Sequence, residues 1–317
     1  MKIIFFGTPE YVLPILDSLH NDLKTKKGKS PIVAVVTQPP KPTGRKQKLE
    51  YSPVDTWAYK KSIQIIRNLD INSLPSADLG ILASYGKIIP EMIIKYFPFG
   101  ILNIHPSLLP LWRGSSPVQA TIISGEKAGV TVIKVDEKLD HGPIVSQFTD
   151  QVLPEDTTES LRKRLFERSA QVLTTLIPAF IQGKITLHQQ KHQEATFTRE
   201  IKKEDAFVPS ESIESALLGI TRNNLWQIPF MRLKNNSYTL YPTPYNLNNF
   251  IRAMQPWPQA WTKIRIKNKE LRLKILNAHL KKTPEYSQLI LDKVQLEGKN
   301  PVTWKQFKEG YPEAKFI

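Results

Sequence analysis

Short apolar runs alternate with helix-spaced stretches through the first half of the chain, and this alternation restricts the fold more than any other feature. KIIFF (2–6), PIVAVVT (31–37), DLGILASYG (78–86) and GILNIH (100–105) carry apolar residues at consecutive positions rather than at every second one. Such runs suit strands buried on both faces, and the segments between them suit covering helices, as in a parallel α/β sheet. YVLPILDSLHNDL, SPVDTWAYKK (52–61) and PVQATIISG (117–125) read as those helices. GVTVIKVD (129–136) and GPIVSQFTD (142–150) add two strands. Asp156 is the expected N-cap of a long helix, with Glu159 three residues on. Leu161, Leu165, Val172, Leu176 and Phe180 form its apolar stripe, and Gly183 ends it.

Near residue 190 the pattern changes. HQQKHQEATFTREIKKEDAF (188–207) is polar and reads as a connection. Beyond it, WTKIRIK (261–267), ELRLKILNAHL (270–280) and SQLILDKVQL (287–296) alternate with period two, with a tight turn at 268–269. The expected organisation is an α/β domain with a mostly parallel sheet over 1–187, a linker over 188–207, and a smaller domain over 208–317. The smaller domain is expected to be an antiparallel, OB-like β-barrel with an insertion around 225–246.

The 317 residues exceed what one core usually spans, which agrees with two domains. The chain has no cysteine. That excludes disulfides, thiol nucleophiles and thiolate metal sites. His188 and His192, four apart, have no third ligand near them, so no metal site is expected. The start offers about five apolar residues where a secretory segment needs roughly 7–15, and no run reaches the ~18 of a membrane helix. A soluble cytoplasmic chain with no membrane partner is expected. With 44 Lys and Arg against 29 Asp and Glu, the net charge is +15, which points to a polyanionic partner, nucleic acid first.

Gly7 opens a strand-to-helix turn, but GTPEYV lacks the later glycines of G-x-G-x-x-G, and no G-x-x-x-x-G-K-S/T occurs. NAD and ATP are therefore not expected. NIHPS (103–107) carries the chemistry instead. Residues two apart on a strand share a face, so Asn103 and His105 project together while Leu102 and Ile104 face the other layer. Pro106 ends the ladder, which puts the pair at a strand's carboxyl end, where ligands of open α/β sheets bind. An amide N–H beside an imidazole suits a developing oxyanion. Alone, the pair fits equally a histidine that only satisfies nearby backbone. VDEKLDHGPI (135–144) tips the balance, because Asp140 can reach across the strand ends to orient the imidazole and take a proton. Asn, His and Asp without a Ser or Cys nucleophile suit direct acyl transfer to an external amine.

NIHPSLLPLWRG with LDHGPI downstream resembles the formyltransferases that use 10-formyltetrahydrofolate. FFGTPEYVLPILDSL, TQPPKPTGRKQKLEYSPV (37–54), ASYGKIIP (83–90), MQPWPQAW (254–261) and QLEGKNPVTWKQFKEGYP (295–312) narrow the resemblance to the tRNA-dependent members and carry it over nearly the whole chain. The resemblance implies a Rossmann-like formyltransferase domain that moves a formyl group from 10-formyltetrahydrofolate to the α-amino group of methionine on initiator Met-tRNA, with no metal. It implies that Asn103 and His105 stabilise the oxyanion and Asp140 collects the amine proton. Ser107, Leu108, Leu109, Pro110, Tyr85 and Gly86 would line the folate site.

Arg45, Lys46 and Lys48 sit in a proline-stiffened loop with Gly44, and with Arg113 they would contact tRNA. Lys263, Arg265 and Lys267 are expected on one face of a strand, with Arg272 and Lys274 continuing that side, as a basic surface for a phosphate backbone. Leu111 stands where the family commonly has arginine, which leaves more of that role to Arg113. Fewer strands follow Trp261 than a family barrel needs, so the 225–246 insertion either supplies them or forms a separate surface. A monomer is expected. The competing readings are a sugar-nucleotide N-formyltransferase and a tRNA-binding protein without catalysis.

Overall fold

Ile3–Gly7 (β1) is buried at every position and lies in the middle of a sheet, so both of its faces are covered. The other strands of that sheet are Ile32–Val36 (β2), Gln64–Ile66 (β3), Leu79–Ala83 (β4), Ile101–His105 (β5), Ala128–Lys134 (β6) and Ile144–Asp150 (β7). Their order is β7-β6-β5-β4-β1-β2-β3. The strands from β5 to β3 are parallel, and β6 joins β5 antiparallel. The chain therefore starts centrally, winds out to β3, and returns to β4 on the opposite side of β1. That reversal opens a crevice at the carboxyl ends of β1 and β4. A Cβ on Gly7, the last residue of β1, would lie 2.9 Å from the Ala83 carbonyl, so glycine lets the two strand ends approach.

These coordinates are a computed structural model that describes residues 1–24, 28–44, 47–282 and 287–317. They divide into two compact units. The first comprises Met1–Arg113, Gly129–Asp150 and Arg162–Glu194. The second comprises Gly114–Ala128, Gln151–Leu161 and Ala195–Ile317. In the first unit, helix Leu13–Asp22 (α1) buries Ile15, Leu16 and Leu19. Helix Pro53–Lys60 (α2) starts with Ser52, whose hydroxyl accepts the Asp55 N–H, followed by Pro53 at a position where no N–H is needed.

The second unit contains helix Pro117–Ser124 (α3), buried from Pro117 to Ile123 and closed by Gly125 in the left-handed conformation. It packs on helix Pro244–Ala253 (α6), in which Leu247 and Phe250 are buried. Between them in sequence come the long helix Thr158–Ile181 (α4), which only begins in this unit, and Ser210–Leu217 (α5). Phe197–Thr198 (β8), Trp226–Arg232 (β9) and Ser237–Leu240 (β10) pair antiparallel. A separate antiparallel sheet is formed by Trp261–Ile266 (β11), Lys269–Lys282 (β12), Ser287–Leu296 (β13), Val302–Thr303 (β14) and Lys315–Phe316 (β15), in the order β14-β13-β12-β11-β15. An α/β unit with a mostly parallel sheet, followed by an antiparallel sheet unit, is the fold class expected from the sequence.

Four local expectations need correction. The long helix is capped by Thr157, not Asp156: the Thr157 hydroxyl accepts the Ser160 N–H and the Ser160 hydroxyl accepts the Thr157 N–H. The Asp156 carboxylate is already taken by the Leu153 N–H and the Ser160 hydroxyl. The turn after β11 lies at 267–268, and Lys267 has a φ of +54°, so it leaves the strand face shared by Lys263 and Arg265. The 225–246 insertion supplies no strand to the sheet around β12; it forms β9 and β10, which pair with each other, and β9 also pairs with β8. That sheet reaches five strands instead through β14 and β15, each only two residues long. The segment expected as a linker, 188–207, is divided: residues to Glu194 belong to the first unit and residues from Ala195 to the second.

Candidate active site

The end of β5 is fixed on both sides. Asn103 pairs with Leu82 of β4 and with Ile133 of β6, and His105 pairs with Thr131. Leu102 and Ile104 are buried on the opposite face, as the strand period requires. Asn103 Nδ2 donates to Asp140 Oδ1 at 3.2 Å. His105 Nδ1 lies 3.6 Å from Asp140 Oδ2. The structure thus brings together the three residues that the sequence singles out. His105 and Asp140 are both more than nine-tenths buried, at 5% and 8% exposure.

His105 Nε2 is 3.0 Å from the Trp112 carbonyl. A carbonyl only accepts, so Nε2 carries the proton and Nδ1 is the ring nitrogen turned to Asp140. That geometry suits proton handling at Nδ1.

The segment after β5 is pinned rather than loose. The Thr131 hydroxyl donates to the Ser107 carbonyl at 2.7 Å and accepts the Leu109 N–H at 2.9 Å. Gln147 Nε2 donates to the Leu109 carbonyl at 3.0 Å. Ser107 and Leu109 are buried, and the Ser107 hydroxyl donates to the Leu111 carbonyl. Leu108 seats against Gly129, where a Cβ would come within 2.4 Å of Leu108 Cδ2. Pro110 and Leu111 are half-buried.

Tyr85 is a core residue, edge-on to Phe6 at 6.1 Å, and burial pushes its hydroxyl pKa up. Its carbonyl accepts from Gln38 Nε2 and from the Thr8 hydroxyl. Gly86 is exposed with φ +80°. Ile88 is 87% exposed in the same loop, and Leu139, 69% exposed, precedes Asp140. Glu91 and Glu137 interact, so these two loops are neighbours. Ile88 and Leu139 offer apolar cover that sequence reading missed, because nothing in their spacing separates them from core residues.

Arg113, expected to contact tRNA, is 5% exposed. Its Nε and Nη2 donate to Gln190 Oε1 at 3.2 and 2.6 Å, and Nη2 lies 2.8 Å from His192 Nδ1. Burial lowers its pKa, opposed by Asp140 and Asp136. The side chain is thus placed inside the first unit and not on an exposed face. His192 stacks on His141 with ring centroids 3.9 Å apart. Its pKa is lowered by desolvation first, then by His141 and Arg113. His188 lies elsewhere, exchanging backbone bonds with Ile144. Among the described residues no group of three or more His, Cys, Asp or Glu is placed to hold a metal ion.

Of the basic loop, Arg45 and Lys46 lie outside the described residues. Lys48 is exposed and pairs with Thr43 in a two-stranded ribbon, Lys41–Thr43 with Lys48–Glu50. On β11, Lys263 and Arg265 are exposed while Ile264 and Ile266 are buried. Arg265 pairs with Glu270 at 3.1 Å. Arg272 lies over the Trp261 ring at 4.0 Å, and Lys274 donates to Gln259.

The model of the formyl transferase family matches residues 1–177, and that of the formyl transferase C-terminal domain matches 242–288. A methionyl-tRNA formyltransferase of Buchnera aphidicola subsp. Schizaphis graminum is 37% identical over 270 residues, covering 82% of this chain and 74% of that protein. The chain belongs to the methionyl-tRNA formyltransferase family. A solved methionyl-tRNA formyltransferase from Clostridium thermocellum shares the fold with a TM-score of 0.53 at 18% identity, over 93% of this chain and 98% of that one. An N-formyltransferase from Helicobacter canadensis, solved with folinic acid and dTDP-3-aminofucose, shares it with a TM-score of 0.59 at 15% identity, over 96% and 98%.

In this formyltransferase the turn bearing Asp140 has no slack. A Cβ on Gly142 would lie 1.9 Å from the Lys134 carbonyl and 3.3 Å from the Asp136 nitrogen. Both are backbone atoms that cannot rotate aside. Gly142→Ala is expected to destabilise the protein by about 1–3 kcal/mol and, by moving Asp140, to slow turnover by roughly 100-fold. Urea unfolding midpoints and initial rates check this; a variant matching the wild type in both would contradict it.

Proposed function

We propose that the chain transfers the formyl group of 10-formyltetrahydrofolate directly to the α-amino group of methionine esterified to initiator tRNA. The observation that carries this reading is the Asn103–His105–Asp140 cluster at the end of β5, with no activated nucleophile beside it. Ser107, the nearest hydroxyl in the segment, is committed to the Leu111 carbonyl, and the chain has no cysteine. Among the described residues of this segment no hydroxyl or thiol is set up as a nucleophile, so in this reading the amine attacks the formyl carbon itself.

Free α-amino groups titrate near ~8, so a neutral nucleophile is available at physiological pH. Attack forms the carbon–nitrogen bond and pushes charge onto the formyl oxygen. Asn103 uses one amide hydrogen on Asp140 and has a second to donate to that oxygen. Asp140 and His105 Nδ1, facing each other, receive the proton lost by the amine. Collapse breaks the bond to N10 of the folate, which leaves with a proton. All three residues come from one chain, so this reading needs no second copy.

A folate co-substrate fits what the site offers. The pinned Ser107–Pro110 segment and the exposed Ile88 and Leu139 supply apolar contacts around the strand ends, and Gly86 leaves room beside them. The solved relative holding folinic acid supports the same class of ligand. The basic side chains Lys48, Lys263, Arg265 and Lys267, all exposed, are the described groups available for tRNA phosphates. Among the described residues no helix is long and apolar enough to cross a membrane. In this reading the reaction takes place in the cytoplasm, where charged initiator tRNA is used.

The test is formyl transfer from 10-formyltetrahydrofolate to Met-tRNA, with an amino-sugar nucleotide offered in parallel. Transfer to Met-tRNA is expected. Transfer to the sugar alone would overturn the acceptor while keeping the chemistry.

A further inference from the structure

We infer that Gln190 is a positioning residue for Asp140: its side-chain amide grips the backbone of the 140–142 turn, and Arg113 fixes which way that amide faces. The inference rests on the reaction proposed above.

Asp140 has a φ of +49°, in the left-handed region. For a residue with a Cβ this conformation costs roughly 1–2 kcal/mol, and it persists only where the surroundings over-determine it. One side of the turn is held by the first sheet, where the Lys134 N–H donates to the Pro143 carbonyl at 3.0 Å and Gly142 sits against Lys134. The other side is held by a segment some fifty residues away in sequence. Ile144 and His188 exchange two backbone hydrogen bonds, of 2.7 and 2.9 Å. This antiparallel bridge sets Gln190 alongside residues 140–142. There Gln190 Nε2 donates to the Asp140 carbonyl at 2.9 Å and to the Gly142 carbonyl at 2.8 Å.

Only one orientation of the amide works. The two carbonyls can only accept, and the Arg113 nitrogens at 3.2 and 2.6 Å from Oε1 can only donate. Reversing the amide would set oxygen against oxygen and N–H against N–H. Gln190 is 4% exposed, so water does not compete for these bonds. Arg113 is braced in turn by His192, which stacks on His141, whose Nδ1 lies 2.7 Å from Asp136. The clamp therefore closes a ring of contacts around the turn. The Asp140 carboxylate meets Asn103 and His105 at distances that depend on where its backbone is held.

Gln190→Glu tests the clamp with little change of size. It keeps an acceptor for Arg113 and replaces the two donations with a carboxylate facing two carbonyls. A displacement of about 1 Å at a reacting group costs roughly 100-fold in rate. The expected result is a kcat lower by roughly that factor, with KM for tRNA and for folate unchanged. Gln190→Asn, neutral and one methylene shorter, reaches one carbonyl but not both and is expected to fall in between. It also allows a readout independent of turnover. The NMR chemical shift of His105 Nδ1, read at one fixed pH, is expected to change as Asp140 withdraws from its 3.6 Å approach.

A wild-type kcat in Gln190→Glu would overturn the inference. So would a lowered kcat with an unchanged His105 Nδ1 chemical shift in Gln190→Asn, which would mean structural damage only. If wild-type protein formylated no Met-tRNA, the proposed reaction would fall, and the His105 chemical shift would still decide on Gln190.

Discussion

His105→Ala and Asp140→Ala are each expected to lower kcat for formyl transfer by roughly 10³-fold, the middle of the range for losing a positioned proton-transfer group, with tRNA affinity essentially unchanged. His105 Nε2 is tied to the Trp112 carbonyl, so only Nδ1 exchanges a proton on the side of the reaction, and Asp140 is the carboxylate it faces. Because the two act as a unit, the double variant is expected to be about as slow as either single one, not slower by the product of the two effects. Asn103→Ala removes a different function, a donor to the developing oxyanion, and is expected to cost roughly 10²–10³-fold. Single-turnover rates with saturating tRNA separate these effects from binding. Full activity in Asp140→Ala would remove the proton-handling role assigned here.

The second large effect is on salt. The exposed Lys48, Lys263, Arg265 and Lys267, proposed to contact tRNA phosphates, belong to a chain with a net charge of +15, and each phosphate they neutralise would release counterions. With about four phosphate contacts, affinity is expected to fall by roughly 10²-fold between 50 and 200 mM salt. The folate KM is expected to stay flat over the same range, since the proposed folate site is the pinned segment after β5 with apolar side chains. A log–log plot of tRNA affinity against salt gives the number of contacts directly. A slope near zero would be incompatible with a polyanionic acceptor and would favour a small one, such as an amino-sugar nucleotide.

Much of the first unit can be read from the sequence because β1, β2, β4 and β5 are covered on both faces and therefore carry apolar residues at consecutive positions. The reacting residues are legible for a related reason: polar side chains at the end of such a strand stand out. Gln190 is not legible. Its partners are the carbonyls of residues 140 and 142, and a backbone carbonyl leaves no mark in a sequence. Arg113 misleads in the opposite way, since an arginine after a loop reads as a surface charge, while tertiary structure buries it against Gln190. Lys267 misleads because the period-two alternation runs on through two polar turn residues. Asp156 and Thr157 are both good caps by type. The choice is made where Arg252 reaches the Asp156 carbonyl, far off in sequence. The strands β14 and β15 carry too few residues to show any period.

The second unit is assembled from three separate stretches of chain, Gly114–Ala128, Gln151–Leu161 and Ala195–Ile317. This has a consequence for how the protein is made. Helix α3 leaves the ribosome more than a hundred residues before α6, which covers it, and α3 is buried along nearly its whole length. Until synthesis reaches Phe250, that face has no native partner, and closing so long a loop is slow. A protein cut after residue 187 would carry α3 permanently uncovered. The boundary that looks natural in the sequence is thus a poor place to divide the molecule, and the nascent chain spends its most aggregation-prone interval there.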